Sequence, residues 1–180
     1  MSEKIIENHR RLLEKWRKSM DLIGPSEMEA HFIDSIGAVE TLEISGAWID
    51  LGSGAGFPGI ALAAFHPHIQ LTMVESRQKR ATFLKQVVRR ANISNITVLC
   101  ERTENIKEKF DGVISRAYKP PLDYLEDARR LLRPNGTAVC LLGDNPDFPL
   151  PFDWKIIAQH RYPVLDGFRQ RWNLMPLSSE

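Results

Sequence analysis

Residues 52–59 read Gly52-Ser53-Gly54-Ala55-Gly56-Phe57-Pro58-Gly59, glycine-rich text set between the apolar runs "WIDL" and "IAL". Glycines at that density between a strand and a helix let a ligand approach the backbone and use the N–H groups of the helix's first turn. Two patterns overlap here. Gly54 to Gly59 is G-x-G-x-x-G, the arrangement that cradles a dinucleotide pyrophosphate. Gly52 to Gly56, two residues after Asp50, is the G-x-G-x-G of loops that hold S-adenosylmethionine.

Pro58 and Asp50 separate the two readings. A pyrophosphate needs backbone N–H groups in the first helical turn, and proline has none to offer. The dinucleotide reading also strands Asp50 inside the strand, where an unpaired carboxylate is costly. With a sulfonium cofactor Pro58 starts the helix well, and Asp50 can reach the cofactor's amino-acid end or orient the loop. Glu75 ends the next apolar run, 19 residues after Gly56. An acid at that place can accept both hydroxyls of a ribose. It supports a nucleoside ligand in either reading, and taken alone it could be a surface acid beside an ordinary turn. The cofactor expected is S-adenosyl-L-methionine, on Asp50, Gly52, Gly54, Gly56 and Glu75.

The elements that must carry these residues alternate. Apolar Ile5, Ile6, Leu12, Leu13, Trp16 and Met20 predict a helix over 3–20. Gly24-Pro25-Ser26 breaks it, and Ser26 with Glu29 forms a capping box opening a helix at about 27–43. Strands follow at 47–51, 69–76, 96–101, 110–117 and 137–142, with helices at 57–65, 77–91 and 121–132, the last stopped by Pro134-Asn135-Gly136. "WKIIAQH" and "RQRWNLM" read as a final antiparallel hairpin turning at Asp166-Gly167. The expected fold is α/β: a Rossmann-like, mostly parallel seven-stranded sheet (45–180) with an N-terminal helical extension (1–44).

Composition narrows the classes. With 43% hydrophobic residues in 180 there is enough for a core, and no run of about 18 apolar residues suggests a membrane span. The charged, amphipathic start is unlike a signal peptide. Cys100 and Cys140 lie in apolar runs without a C-x-x-C pair and read as reduced core thiols of a cytoplasmic protein. The five histidines show no ligand spacing, so no metal is expected. Net charge is +1, but from Arg77 to Arg90 there are six basic residues and no acid. With apolar positions turned to the sheet, Lys79, Lys85, Arg89 and Arg90 are left for RNA phosphates, or simply for solvent.

"WIDLGSGAGFPGI", "ESRQKRATFLKQV" and "FDGVISRA", with "LLEKWRKSMDLI" and "HFIDSI" upstream, resemble the RsmG (GidB) family, bacterial methyltransferases of a guanine N7 in small-subunit (16S) ribosomal RNA. The resemblance implies cofactor contacts at Gly52, Phe57, Thr103 with Glu104, and Arg116, with the ribose on Glu75. It implies the ribosomal RNA or the 30S particle as partner; the protein is expected to be a monomer. Arg116, at the carboxyl edge of the fourth strand, would hold the methionine carboxylate or an RNA phosphate and position the reactants. The alternative is a structural ion pair with Asp111 or Asp127. His31, Asp34 and Ser35 resemble a family patch near the site, or else form a helix-face network. The chain departs from the family where Leu142, and not lysine, precedes Gly143, and in the proline-rich segment after Asp144. Two other classes therefore stay in view: transfer to a small molecule or protein, and non-catalytic RNA binding.

Overall fold

The computed structural model describes residues 2–20, 22–23 and 28–177, without the side chains of 18–20. Helices α1 (Ser2–Met20) and α2 (Met28–Val39) precede β1 (Ala47–Leu51), α3 (Gly59–Phe65), β2 (Gln70–Val74), α4 (Gln78–Ala91) and β3 (Ile96–Leu99). A 3-10 turn (Thr103–Asn105) leads to β4 (Phe110–Ser115), α5 (Pro121–Leu131), β5 (Leu132–Leu142), β6 (Trp154–Val164) and β7 (Gly167–Pro176). The seven strands form one sheet in the order β3-β2-β1-β4-β5-β7-β6. The first five strands pair in parallel, and β7 joins β5 and β6 antiparallel.

Strands buried on both faces read as continuous apolar runs, which is why the central four were legible as strands. Trp48, Leu71, Met73, Ile114 and Val139 pack under α1 to α4, and the same cluster includes Ile5, Leu13 and Phe32 from the N-terminal helices. Ile49, Leu51, Val74, Val113 and Cys140 face the other way, against α5. The two layers fix the carboxyl ends of β1, β2, β4 and β5 along one edge. Gly112 in "FDGVISRA" is explained by this packing: a Cβ there would lie 2.3 Å from the Trp48 indole.

Several boundaries differ from the expected ones. The Ser26 half of the capping box lies outside the described residues, and α2 ends at Val39. Helix α3 starts at Gly59, because the loop continues through Phe57 and Pro58 caps the helix by its carbonyl, which accepts from Leu62. Pro134-Asn135-Gly136 does not separate helix from strand. It lies within β5, whose pairing jumps from Phe110↔Leu132 to Gly112↔Thr137, so the turn-forming residues make an irregularity inside the strand. Both thiols are free, but only Cys140 is buried, and Cys100 is half-exposed after β3.

Candidate functional site

The glycine loop leaves β1 with Gly52, Gly54 and Gly56 all at positive φ (66°, 54° and 98°), a conformation that side chains other than glycine rarely take. Two residues tie it down from below. The Glu75 carboxylate accepts from Gly54 N–H at 3.0 Å and from Arg77 N–H at 2.7 Å, so it holds the loop as well as facing the site. Both oxygens keep a lone pair for a ribose hydroxyl. From α1, His9 Nε2 lies 2.7 Å from Ala55 O. Burial beside Arg10 and Arg116 pushes His9 down to about 4 despite that bond, so the ring is neutral and donates to the carbonyl. His9 sits among Phe32, Phe57 and Phe83. Sequence reasoning passed over it. Its place on the apolar stripe between Ile6 and Leu13 was the available signal.

Asp50 lies beneath the loop. It is fully buried, neither carboxyl oxygen has a hydrogen-bond partner, and a Cβ on Gly59 would come within 2.5 Å of Oδ2. Of the two roles open to it, orienting the loop and the α3 entry fits this position, and direct contact with a ligand does not. Burial pushes its carboxyl up to about 8, against the opposing charge of Arg116. An unfolded aspartate titrates near 3.9. Between the two values the native state holds a proton that the unfolded state has lost, so stability falls as pH rises from about 4 to 8. Asp50→Asn is expected to remove that slope, gaining on the wild type by at least about 1 kcal/mol at pH 8, as read from chemical denaturation at pH 5, 6.5 and 8. Parallel pH profiles for the two proteins would contradict this.

On the open side of the loop lies a cleft of about 280 Å3, lined by Gly52, Val74, Ser76, Thr103, Glu104 and Tyr118 among others. It brings together Gly52, Thr103 and Glu104 from three separated segments at the sheet's carboxyl edge. Glu104 is exposed, with Lys119 at 3.6 Å, and Thr103 is buried with its carbonyl held by Arg130. A Cβ at Gly54 would meet nothing nearer than 3.6 Å, so the loop faces open space there. A glycine cradle with carboxylates at either end suits a nucleoside with a cationic, phosphate-free tail. The Phe57 side chain does not line this cleft. It is buried against His9, His31 and Phe32, so only its backbone is available to a ligand.

Arg116 stands at the end of β4 above Phe57, 4.8 Å from the ring centre. It donates to Asp34 Oδ2 and to His31 Nδ1, each at 3.2 Å. Accepting at Nδ1 leaves the His31 proton on Nε2, and burial with the neighbouring guanidinium lowers its proton affinity further. Asp34 Oδ1 also accepts from the Tyr162 hydroxyl at 2.9 Å and lies 3.6 Å from Arg169. The ion pair therefore runs to α2, and neither Asp111 nor Asp127 takes part. Asp111, the second residue of β4, lies five residues and about 16 Å away, and it binds Ala47 N–H and Arg133. Asp127 is engaged by Tyr118 and Lys119. Ser35 is buried without a hydrogen bond to its hydroxyl and adds nothing to this group.

Lys79, Lys85, Arg89 and Arg90 are exposed along α4. Arg90 shares a shallow cleft of about 340 Å3 with Arg11 and Lys15 of α1, which extends the basic stripe onto a second helix. Leu142 packs into the apolar layer with Cys140 and Trp154. Among the described residues no group of His, Cys, Asp and Glu could hold a metal ion, and no helix is long and apolar enough to cross a membrane.

Several solved structures share this fold. The mitomycin 7-O-methyltransferase MmcR superposes with a TM-score of 0.68 at 13% identity, over 93% of this chain and 60% of that one. TYW2 of M. jannaschii, solved in complex with AdoMet, gives 0.63 at 13% identity, over 87% and 78%. Those likenesses concern the fold. In sequence, the ribosomal RNA small subunit methyltransferase G of Pseudomonas paraeruginosa is 33% identical over 162 residues, 85% of this chain and 76% of that protein. The Paracoccus denitrificans protein of the same name is 38% identical over 141 residues, 74% and 72%. The profile of GidB, rRNA small subunit methyltransferase G, matches residues 2–149, which contain the loop, Glu75, Thr103 and Arg116. The chain belongs to the GidB family of small-subunit ribosomal RNA methyltransferases.

Proposed function

We propose that this protein transfers a methyl group from S-adenosylmethionine to N7 of a guanine in 16S ribosomal RNA, acting as a monomer in the cytoplasm. The reading is carried by one observation: in a chain of this family, the glycine loop, Thr103 with Glu104, and the Arg116–Asp34–His31 group converge on a single sheet edge. Gly52, Gly54, Gly56 and the Phe57 backbone would hold the cofactor's amino-acid end, with Glu75 at the ribose and Thr103 and Glu104 at the base. When bound, that cofactor supplies an electrophilic methyl on sulfur.

Guanine N7 has an in-plane lone pair and no proton, so no general base is required. The protein's contribution is to hold N7 about 3–3.5 Å from the methyl and in line with it. Arg116 is the positioning residue in this reading. Its guanidinium is fixed by acceptors on two residues, Asp34 and His31, and stacked on Phe57, so it presents its remaining donors in one orientation. A base paired within a helix cannot enter such an edge, so the guanine is unpaired or extruded when it reacts. The stripe on α4 and α1 supports the chain's grip on RNA through phosphates, which carry affinity and no sequence information.

Labelled cofactor incubated with 30S particles, or with naked small-subunit RNA, from a strain lacking the enzyme tests the reading. Label is expected in the RNA. Cofactor binding without transfer would leave a non-catalytic RNA-binding relative, and transfer only to protein or a small molecule would give the other acceptor class.

A further inference from the structure

A second cleft, of about 480 Å3, lies against the α2 residues that hold Arg116. Its walls are His31 and Asp34 of α2 and the β6–β7 turn, with Leu165, Asp166, Phe168 and Arg169. His31 and Asp34 are the two side chains that hold Arg116, each at 3.2 Å, so the Arg116 group borders this cleft.

The turn is furnished for a flat ring. Leu165 is 50% exposed and Phe168 42%, which places two large apolar side chains side by side in solvent. Phe168 is held in one attitude, because Arg161 stacks on it at 3.5 Å and is itself fixed by both oxygens of Asp144, at 2.7 and 3.0 Å. An aromatic ring braced by a guanidinium is the platform on which proteins stack unpaired bases. The carboxylates around it are not equivalent. Asp34 is committed to Tyr162, Arg116 and Arg169, and Asp144 to Arg161. That leaves Asp166, exposed at the turn. Guanine is the base whose Watson–Crick edge offers two adjacent donors, N1–H and the N2 amino group, to one carboxylate, which is an acceptor only. A guanine engaged there keeps N7 on its opposite edge.

Resting on the reading of the chain as a guanine-N7 methyltransferase, we infer that the second cleft is the acceptor-base site. Phe168 stacks the target guanine, Asp166 reads its Watson–Crick edge, and N7 turns toward the Arg116 group. Stacked bases lose roughly 10- to 100-fold when the aromatic side chain is truncated. Phe168→Ala in the full chain is therefore expected to slow methyl transfer to 30S particles or naked RNA by that factor at saturating cofactor, with Phe168→Trp restoring most of it. Asp166→Asn is expected to erase discrimination between an RNA carrying guanine at the target and one carrying inosine, which keeps N7 and lacks the N2 amino group. Cofactor affinity and melting temperature are expected to stay at wild-type values in all three, since both residues are exposed and outside the nucleoside cleft. Wild-type transfer rates and wild-type discrimination in the Ala and Asn variants, on RNA that the wild type methylates, would overturn the acceptor site alone. No transfer to RNA by the wild type would end the RNA reading and this inference together.

Discussion

Gly54→Asp is expected to abolish S-adenosylmethionine binding, by at least about 100-fold or some 3 kcal/mol, while the protein still folds. Gly54 sits at φ 54°, in the left-handed region that aspartate tolerates better than most residues. Its Cβ would have room, with Gly52 O at 3.6 Å and Arg80 Nη1 at 3.9 Å as nearest neighbours. The new side chain therefore projects into the open face of the loop, where a ligand must approach the backbone. It also sets a second carboxylate beside Glu75, whose Oε2 accepts from the Gly54 N–H. We expect a stability cost of about 1 kcal/mol, or a melting shift of roughly 2–4 °C for a chain of this size. Calorimetric titration of the cofactor and a thermal melt check both parts. Normal cofactor binding by the variant would place the site elsewhere.

Arg116→Ala is the second large effect. Transfer is expected to fall by about 100-fold, the scale on which a misplacement of the order of 1 Å acts in positioning catalysis. The variant also leaves Asp34, a largely buried carboxylate, without its main cation. Tyr162 and Arg169 remain on that carboxylate, at 2.9 and 3.6 Å, so the loss of stability is expected near 2 kcal/mol, below the cost of orphaning a fully buried charge. Arg116→Lys separates the two roles. It returns a cation to Asp34 and much of the stability, but a single ammonium cannot serve Asp34 and His31 as a rigid fork does. Steady-state transfer kinetics beside denaturation curves would show transfer still low in the lysine variant. Full activity in either variant would remove Arg116 from the positioning role.

How much of this could be read from the chain depends on range. The parallel core was legible because Ile49, Leu51, Met73 and Val74 are buried whichever face they meet, so their runs are mostly apolar, with Asp50 and Thr72 the interruptions. The hairpin was legible from Asp166-Gly167, whose glycine takes φ 125°. Local chemistry misled at Pro134-Asn135-Gly136, where sheet pairing with β4 carried a strand through residues that would otherwise turn. For the site, the loop and Glu75 were legible because strand ends and glycines mark the ligand edge of an open sheet, whereas Thr103 and Glu104 came from the family resemblance. Their division of labour was not legible. Asp50 is buried beneath the loop, and Glu75 spends its oxygens partly on loop N–H groups. The Arg116–Asp34 pair joins residues 82 apart, and His9 reaches Ala55 across 46. No periodicity encodes such meetings. They exist only once α1 and α2 have packed against the sheet.

Methyl transfer to N7 of a guanine leaves a chemical mark on the RNA. N7-methylation labilises the imidazole ring, so borohydride reduction followed by aniline cuts the RNA chain at the modified nucleotide. RNA from 30S particles treated with this protein and S-adenosylmethionine is expected to show one new scission, at a guanine, that is missing without protein and missing with Gly54→Asp. Methyl label in the RNA with no new scission would place the transfer on another atom and contradict the account.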